Sequence, residues 1–244
     1  GLSNTDVKDI FTYFGKFIFA KKDDWAVKAL EFLVEKQQEQ SAPFLRSLIG
    51  KSYLKYRSLK LLIDVGDKSD FKRYKAFLKH DNHRYRILAH RAYGRFGTEK
   101  EQEHALLLSF ADKKHEVSFT AIVSMNKTKA TNIRSKLIKI AKKGKHLHQR
   151  LFAAEVIGRS LKEEDVPLLI EALKEEYEFL SENEKSLAVM SLGTYWLAKK
   201  FVTDSPGSGC KFARNEIAAH LKAITKENFG TDAEKWERWL KKKK

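Results

Sequence analysis

Four stretches of the 244-residue chain close on a glycine or asparagine at nearly even intervals. They are RYRILAHRAYG ending at Gly94, EVSFTAIVSMN at Asn126, HQRLFAAEVIG at Gly158 and EKSLAVMSLG at Gly193, so the closures lie 32, 32 and 35 residues apart. A weaker copy, RSLKLLIDVG, closes at Gly66, 28 residues before Gly94. Within each copy small and apolar residues recur at helical spacing: Leu88, Ala89, Ala92 and Tyr93, then Thr120, Ala121, Ser124 and Met125, then Phe152, Ala153, Val156 and Ile157, then Leu187, Ala188, Ser191 and Leu192. Small residues in such a stripe let neighbouring helices come close. A closing glycine or asparagine suits the left-handed conformation that ends many helices, so Gly94 reads as helix termination. Each copy is preceded by a second apolar-periodic stretch, as in DFKRYKAFLKH, EQEHALLLSFAD, TNIRSKLIKIAKKG and EDVPLLIEALKEEY. One helix pair cannot bury its apolar face alone, whereas a stack of pairs can. The expected fold is therefore all-α: one right-handed α-solenoid domain (residues 1–244) of about six or seven helix pairs.

The second helix of each pair resembles that of the HEAT repeat, in particular the short HEAT-like units of phycobiliprotein lyases, which reads roughly V-R-x-A-A-x-x-A-L-G. Tyr85-Arg86, Leu88-Ala89 and Ala92-Tyr93-Gly94 match it in register, as do Gln149-Arg150, Phe152-Ala153 and Val156-Ile157-Gly158. Lys185 keeps only the charge at the arginine position, and Ser118 departs from it. The resemblance covers roughly residues 55–225 and implies fold rather than lyase activity. At the C-terminus, Leu221, Ile224-Thr225, Phe229-Gly230, Trp236 and Trp239 resemble the closing unit of many bacterial HEAT-repeat proteins. Trp236, Trp239 and Leu240 share one helical face that can cover the open end of the stack, with Asp232 as its cap. An aromatic-rich N-terminal cap (1–54, including VKDIFTYFGKFIF and DDWAVKALEFLVEKQ), the repeats (55–200), a Ser/Pro/Gly loop (201–212) and a capping repeat (213–244) complete the organisation. In the cap, Ser41 ahead of Pro43 marks a helix start.

The charge is unevenly spread. Of a formal net charge of +16, residues 1–50 carry 0, 51–100 carry +9, 101–150 carry +7, 151–200 carry −4 and 201–244 carry +4. A regional basic excess is a footprint for an anionic partner. Arg84, Arg91 and Arg95 fall at i, i+7, i+11, as one stripe on a second helix, a face that lines the concave side of HEAT arrays. Lys72, Arg73 and Lys75 lie on the preceding helix, and Lys127, Lys129, Arg134, Lys136, Lys139, Lys142, Lys143 and Lys145 extend the region. Arg86 recurs as Arg150, Lys185 and Arg214 and so belongs to the repeat's own ladder, whereas Arg84, Arg91 and Arg95 do not recur.

These residues imply a non-enzymatic scaffold binding an acidic protein, with nucleic acid as the alternative. The alkylpurine DNA glycosylases, built of HEAT-like repeats with a basic groove, give that alternative a precedent. No motif here maps onto their acidic and aromatic catalytic groups, so no catalytic residue is carried over. His80 with His83, and His146 with His148, lack the i, i+4 spacing of helical metal ligands, and no HExxH or CxxC accompanies them, so no metal or cofactor is expected. Cys210 sits in the Gly/Ser loop beside Lys211 without a base nearby other than His220. No apolar run is long enough to span a membrane. Asp6 and Asp9 occupy the region where a secretory leader would be basic then apolar, and removal of a leader before Gly1 would make the chain an exported one.

Overall fold

The computed structural model describes residues 23–50, 54–174 and 208–243. The expected first cap helix (VKDIFTYFGKFIF), the repeat copy EKSLAVMSLG with Lys185, and most of the Ser/Pro/Gly loop lie outside the described residues. Every regular element among the described residues is helical. The chain packs as two compact units, Gly1–Lys75 and Ala76–Lys244.

In the first unit, α1 (Asp23–Gln37), α2 (Ala42–Leu48), α3 (Lys55–Val65) and the short α4 (Lys72–Lys75) enclose Leu30, Leu45, Leu48, Leu54 and Leu62. Pro43 sits in the first turn of α2, where its missing N–H costs nothing. Arg46 then fastens the turn before α4: its Nε donates to Asp70 Oδ1 at 3.0 Å, and its Nη2 to Asp70 Oδ2 at 2.7 Å and Asp67 Oδ2 at 2.8 Å. The buried Tyr74 hydroxyl donates to the Leu59 carbonyl at 2.8 Å, closing α4 onto α3.

The second unit is a run of paired helices: α5 (His83–Phe96), α6 (Glu99–Phe110), α7 (His115–Ser124), α8 (Arg134–Lys143), α9 (Leu147–Gly158), α10 (Val166–Leu173), α11 (Ser208–Thr225) and α12 (Ala233–Lys243). Side chains cap two of these helices at their starts. Asn82 accepts the Arg84 N–H at 2.9 Å, and Thr98 with Glu101 forms a reciprocal capping box at the start of α6. Helices α5, α7, α9 and α11 pack successively against one another, while α6, α8 and α10 flank them. The inner layer is buried almost all round. Ile87–Tyr93, Val117–Val123 and Leu151–Gly158 are unbroken buried runs, whereas α8 buries only Leu137.

That layer explains its glycines differently from the expectation. Helix α5 does not end at Gly94 but continues to Phe96, and Gly97 N–H closes it on the Tyr93 carbonyl at 2.9 Å. Gly94 is an interior residue whose Cβ would lie 2.2 Å from the Ser124 carbonyl oxygen of α7. A Cβ on Gly158 would meet His220 of α11 at 2.6 Å. Among the described glycines only Gly230 has a positive φ, in the Phe-Gly turn before α12. At Gly94 the recurring glycine permits contact between helices instead of ending one, whereas Gly66 closes α3 on the Leu62 carbonyl at 2.8 Å and Gly158 is the last residue of α9.

Polar clamps about one repeat long tie each pair to the next. Arg86 donates to Asp112 at 2.6 and 2.9 Å and to the carbonyls of His80 and Asp81. Glu103 accepts from the backbone and side-chain nitrogens of Asn132 at 3.0 and 2.9 Å. Arg159 pairs with Glu155 inside α9 and also donates to the Met125 and Ile122 carbonyls at 2.7 and 2.9 Å, satisfying the C-terminal end of α7. The ladder position is visible in detail: Arg86 Nη1 reaches the carbonyl six residues back at 2.7 Å, and Arg150 Nη1 does the same at 2.8 Å. At the end of the unit, α12 packs on α10 with Trp236 fully buried. Trp236 Nε1 donates to the Gly230 carbonyl at 2.8 Å, Phe229 and Trp239 meet its ring edge to face, and Asp232 accepts the Lys235 N–H at 3.0 Å.

The close approach makes a direct prediction. Gly94→Ala forces backbone against backbone and should lower unfolding stability by about 1–3 kcal/mol, the usual range for overpacking. Gly50→Ala, with nothing within 4 Å of the added carbon, should be near neutral. Urea unfolding midpoints of the two variants measure the difference.

Candidate binding surface

Helix α8, RSKLIKIAKK, is the most basic element described. Residues 131–145 contain six basic side chains and no acidic one. Leu137 anchors the helix, Ile138, Ile140 and Ala141 are half-buried, and Lys136, Lys139, Lys142 and Lys143 are exposed. Lys136, Lys139 and Lys143 recur at i, i+3, i+7 and so share a face. Like charges at that spacing repel by about 0.2–0.5 kcal/mol per pair in an isolated helix. Lys142 and Lys143 at the C-terminal turn recover part of this from the helix dipole. Among the described residues no carboxylate pairs with any of these four lysines. A surface of unneutralised charge on a rigid helix suits an anionic macromolecule.

The other expected site residues fare unequally. Arg91 is buried, at 6% exposure, so it does not share an exposed stripe with Arg84 and Arg95. The reason is the inner position of α5: residue 91 lies within its buried run, while residues 84 and 95 lie at the exposed ends. The second helices thus form a packed layer, and their exposed basic residues are confined to helix ends. Arg95 stacks over its neighbour Phe96 at 5.3 Å. Arg134 is also used internally, donating Nη2 to Asp165 and, at 2.9 Å, to Glu164; this ion pairing raises the guanidinium pKa further. In the first unit Arg73 pairs with the buried Asp70 at 3.2 Å, Lys75 lies 4.7 Å over the Phe71 ring, and Lys72 is exposed. Of the nine residues, Lys136 and Lys139 alone combine exposure with membership of the lysine face.

Sequence reasoning missed the carboxylate that engages Arg134. A signal existed: Asp165 lies 31 residues on, one repeat away, as Asp112 lies 26 residues after Arg86. A basic residue followed one repeat later by an acidic one marks an internal clamp.

A cleft of about 580 Å³ opens between α8 and α10, lined by Arg134, Ile138, Ala141 and Lys142 from one side and by Glu164, Asp165, Pro167, Leu168, Glu171 and Ala172 from the other. The Arg134–Asp165 pair lies in its wall. Arg134 Nη1 and Asp165 Oδ2 are buried and make no hydrogen bond among the described residues. Buried polar atoms without partners each cost about 1–3 kcal/mol.

The histidines gather at the starts of the second helices. His115 and His148 have ring centroids 6.2 Å apart, and His146 stacks on His148 at 5.6 Å. Burial, followed by the charges of His115 and His146, pushes His148 down to about 4. Burial pushes His90 down to about 4, with Asp112 opposing and Arg86 assisting. Among the described residues no group of three or more His, Cys, Asp or Glu is placed to hold a metal ion. Burial pushes the Cys210 thiol up to about 11, so it is protonated and poorly nucleophilic at neutral pH. No helix among the described residues is long and apolar enough to cross a membrane.

Among the described residues these features define an all-helical protein of clamped helix pairs whose α8 carries exposed lysines. Comparison of the chain with protein-family models, with curated proteins and with solved structures finds no match.

The buried His90 sets a pH dependence. Its folded form holds a neutral imidazole, whereas the unfolded chain takes up the proton near pH 6.5. Stability contributed by the neutral imidazole is present above that pH and is lost as pH falls toward 4, on the order of 3 kcal/mol for a shift of this size. The urea midpoint should therefore drop between pH 6.5 and 4.5, and less steeply in His90→Leu. An unchanged slope in that variant contradicts the assignment.

Proposed function

We propose that the protein is a HEAT-like α-solenoid that acts as a non-enzymatic interaction scaffold and binds an acidic protein through the lysine face of α8. The observation that carries this reading is the division of labour among its cations. Arg46, Arg86, Arg134 and Arg159 are spent on clamps, while Lys136, Lys139, Lys142 and Lys143 stand exposed with no carboxylate partner among the described residues. The solenoid reading draws support from the repeat of about 32 residues, the successive packing of α5, α7, α9 and α11, and the matching Arg86 and Arg150 bonds. On this reading recognition is electrostatic first: the charge accelerates encounter and excludes basic partners more than it adds affinity. Lysine ammonium groups on flexible stems suit a partner with dispersed carboxylates, since they bind as point charges without the planar fork of arginine.

Fluorescein-labelled poly-L-glutamate serves as the acidic probe. Wild type should bind it at low ionic strength with an affinity that falls steeply as salt rises, and Lys136→Glu/Lys139→Glu/Lys143→Glu should bind at least tenfold more weakly with an unchanged circular dichroism spectrum. No binding at low salt overturns the proposal. Tight, salt-dependent binding to duplex DNA without binding to polyglutamate would replace the protein partner with nucleic acid.

A further inference from the structure

The turns that lead into α5, α7 and α9, residues 80–84, 111–115 and 142–146, gather along one edge of the second unit. Their contacts with one another are direct. Arg86 donates to the His80 and Asp81 carbonyls of the first turn and to the Asp112 carboxylate of the second. The His115 ring of the second lies 6.2 Å from the ring of His148, which stacks on His146 of the third. The edge is basic. Arg84, Lys113, Lys114 and Lys145 are exposed and form no ion pair among the described residues, and Lys142 and Lys143 carry the strip onto the lysine face of α8. Its carboxylates are few and mostly spent. Asp112 is held by Arg86, Glu116 lies half-buried beside His115 at 3.6 Å, and Asp81 alone of the three is exposed.

Two features select what fits such an edge. The rings found there pair with one another, His80 with Tyr85 at 4.6 Å and His146 with His148 at 5.6 Å, instead of standing apart as platforms for bases. The spacing of the turns suits a peptide. Packed helices lie about 8–10 Å apart, and every third residue of a polyproline II chain returns to one side after about 9 Å. Repulsion between its own charges keeps an acidic segment extended. We propose that this edge is the track of an extended acidic segment of the partner, which crosses the three turns with carboxylates at i, i+3 and i+6 meeting Arg84, Lys114 and Lys145. The inference rests on the acidic-protein reading and adds to it the path of the segment, its register and a least length of about seven residues. The lysines of α8 draw the segment in, and the edge selects for spaced charge.

Fluorescence polarisation on the full chain at low ionic strength tests it with two fluorescein-labelled peptides of one composition: four Glu-Ser-Ser repeats in a row, and four glutamates followed by eight serines. The repeating peptide should bind at least fivefold more tightly than the clustered one. Arg84→Glu/Lys114→Glu should weaken the repeating peptide at least tenfold and abolish the preference. Both positions are exposed at helix starts, where the dipole favours a carboxylate, so the fold is kept. Lys241→Glu/Lys242→Glu makes the same change of charge on α12 and should leave both peptides within twofold of wild type. Asp81→Asn removes the exposed carboxylate from the first turn and should tighten the repeating peptide. Equal binding of the two peptides overturns the track and leaves the lysine face standing. So does a preference that survives in Arg84→Glu/Lys114→Glu, an equal loss in the α12 variant, or failure of both peptides while polyglutamate still binds. Unchanged or weaker binding in Asp81→Asn overturns the passage across the first turn. An oligothymidylate that binds more tightly than both peptides, and is lost in Arg84→Glu/Lys114→Glu, replaces the acidic segment with single-stranded nucleic acid. Absence of polyglutamate binding by the wild type overturns the reading beneath the proposal instead.

Discussion

A methyl group at position 94 would sit 2.2 Å from the Ser124 carbonyl oxygen, and that distance sets the second unit's architecture. With no side chain in the way, α5 lies against α7 nearly backbone to backbone, and Gly158 makes room on α9 for the His220 side chain of α11. Helices that approach so closely bury each other on most sides, which is why Ile87–Tyr93 and Leu151–Gly158 are buried without a break. Burial on every side leaves polar backbone ends inside the stack. Arg159, itself paired with the fully buried Glu155, answers the end carbonyls of α7, so the ion pair and the helix terminus satisfy one another. Removing one partner of such a buried pair typically costs about 3–5 kcal/mol, because the other charge is stranded.

The same constraint decides where charge can act. A second helix wedged between neighbours has no face left for a ligand, and Arg91 is drawn into the interior along with its helix. The flanking helices keep an outer side. Of these, α8 carries lysines there, and Asp165, in the turn that leads into α10, supplies the carboxylate that holds Arg134 at the boundary between inside and out. Arginine serves within, where its fork reaches two acceptors at once, and lysine serves without, where a hydrated point charge is cheap to expose.

Much of this was legible in the sequence. The period placed the second helices, Asp232 marked where the closing helix begins, and the recurrence of Arg86 as Arg150 foretold a shared bond. Of Trp236, Trp239 and Leu240, expected to share a covering face, Trp236 is fully buried and the other two are half-buried. Three things were misread for one physical reason. The termination assigned to Gly94, the exposed stripe assigned to Arg91 and the binding role assigned to Arg134 all depend on which residue lies opposite. For Gly94 and Arg134 that residue is Ser124 and Asp165, 30 and 31 positions away, beyond the reach of any local pattern. Helical periodicity reports which residues share a face; it does not report whether a face meets a helix, a carboxylate or water.

The account's central claim is that the exposed lysines of α8 are the charges left over for a partner once the clamps are made. Reductive methylation with carbon-13 formaldehyde gives each lysine a resolvable NMR signal, and titration with polyglutamate then reads every lysine at once. The account predicts that Lys136, Lys139, Lys142 and Lys143 shift first and furthest, and that the shifts collapse together as salt is raised. Shifts led by lysines elsewhere, on α12 or in the first unit, or spread evenly over the chain, would contradict it.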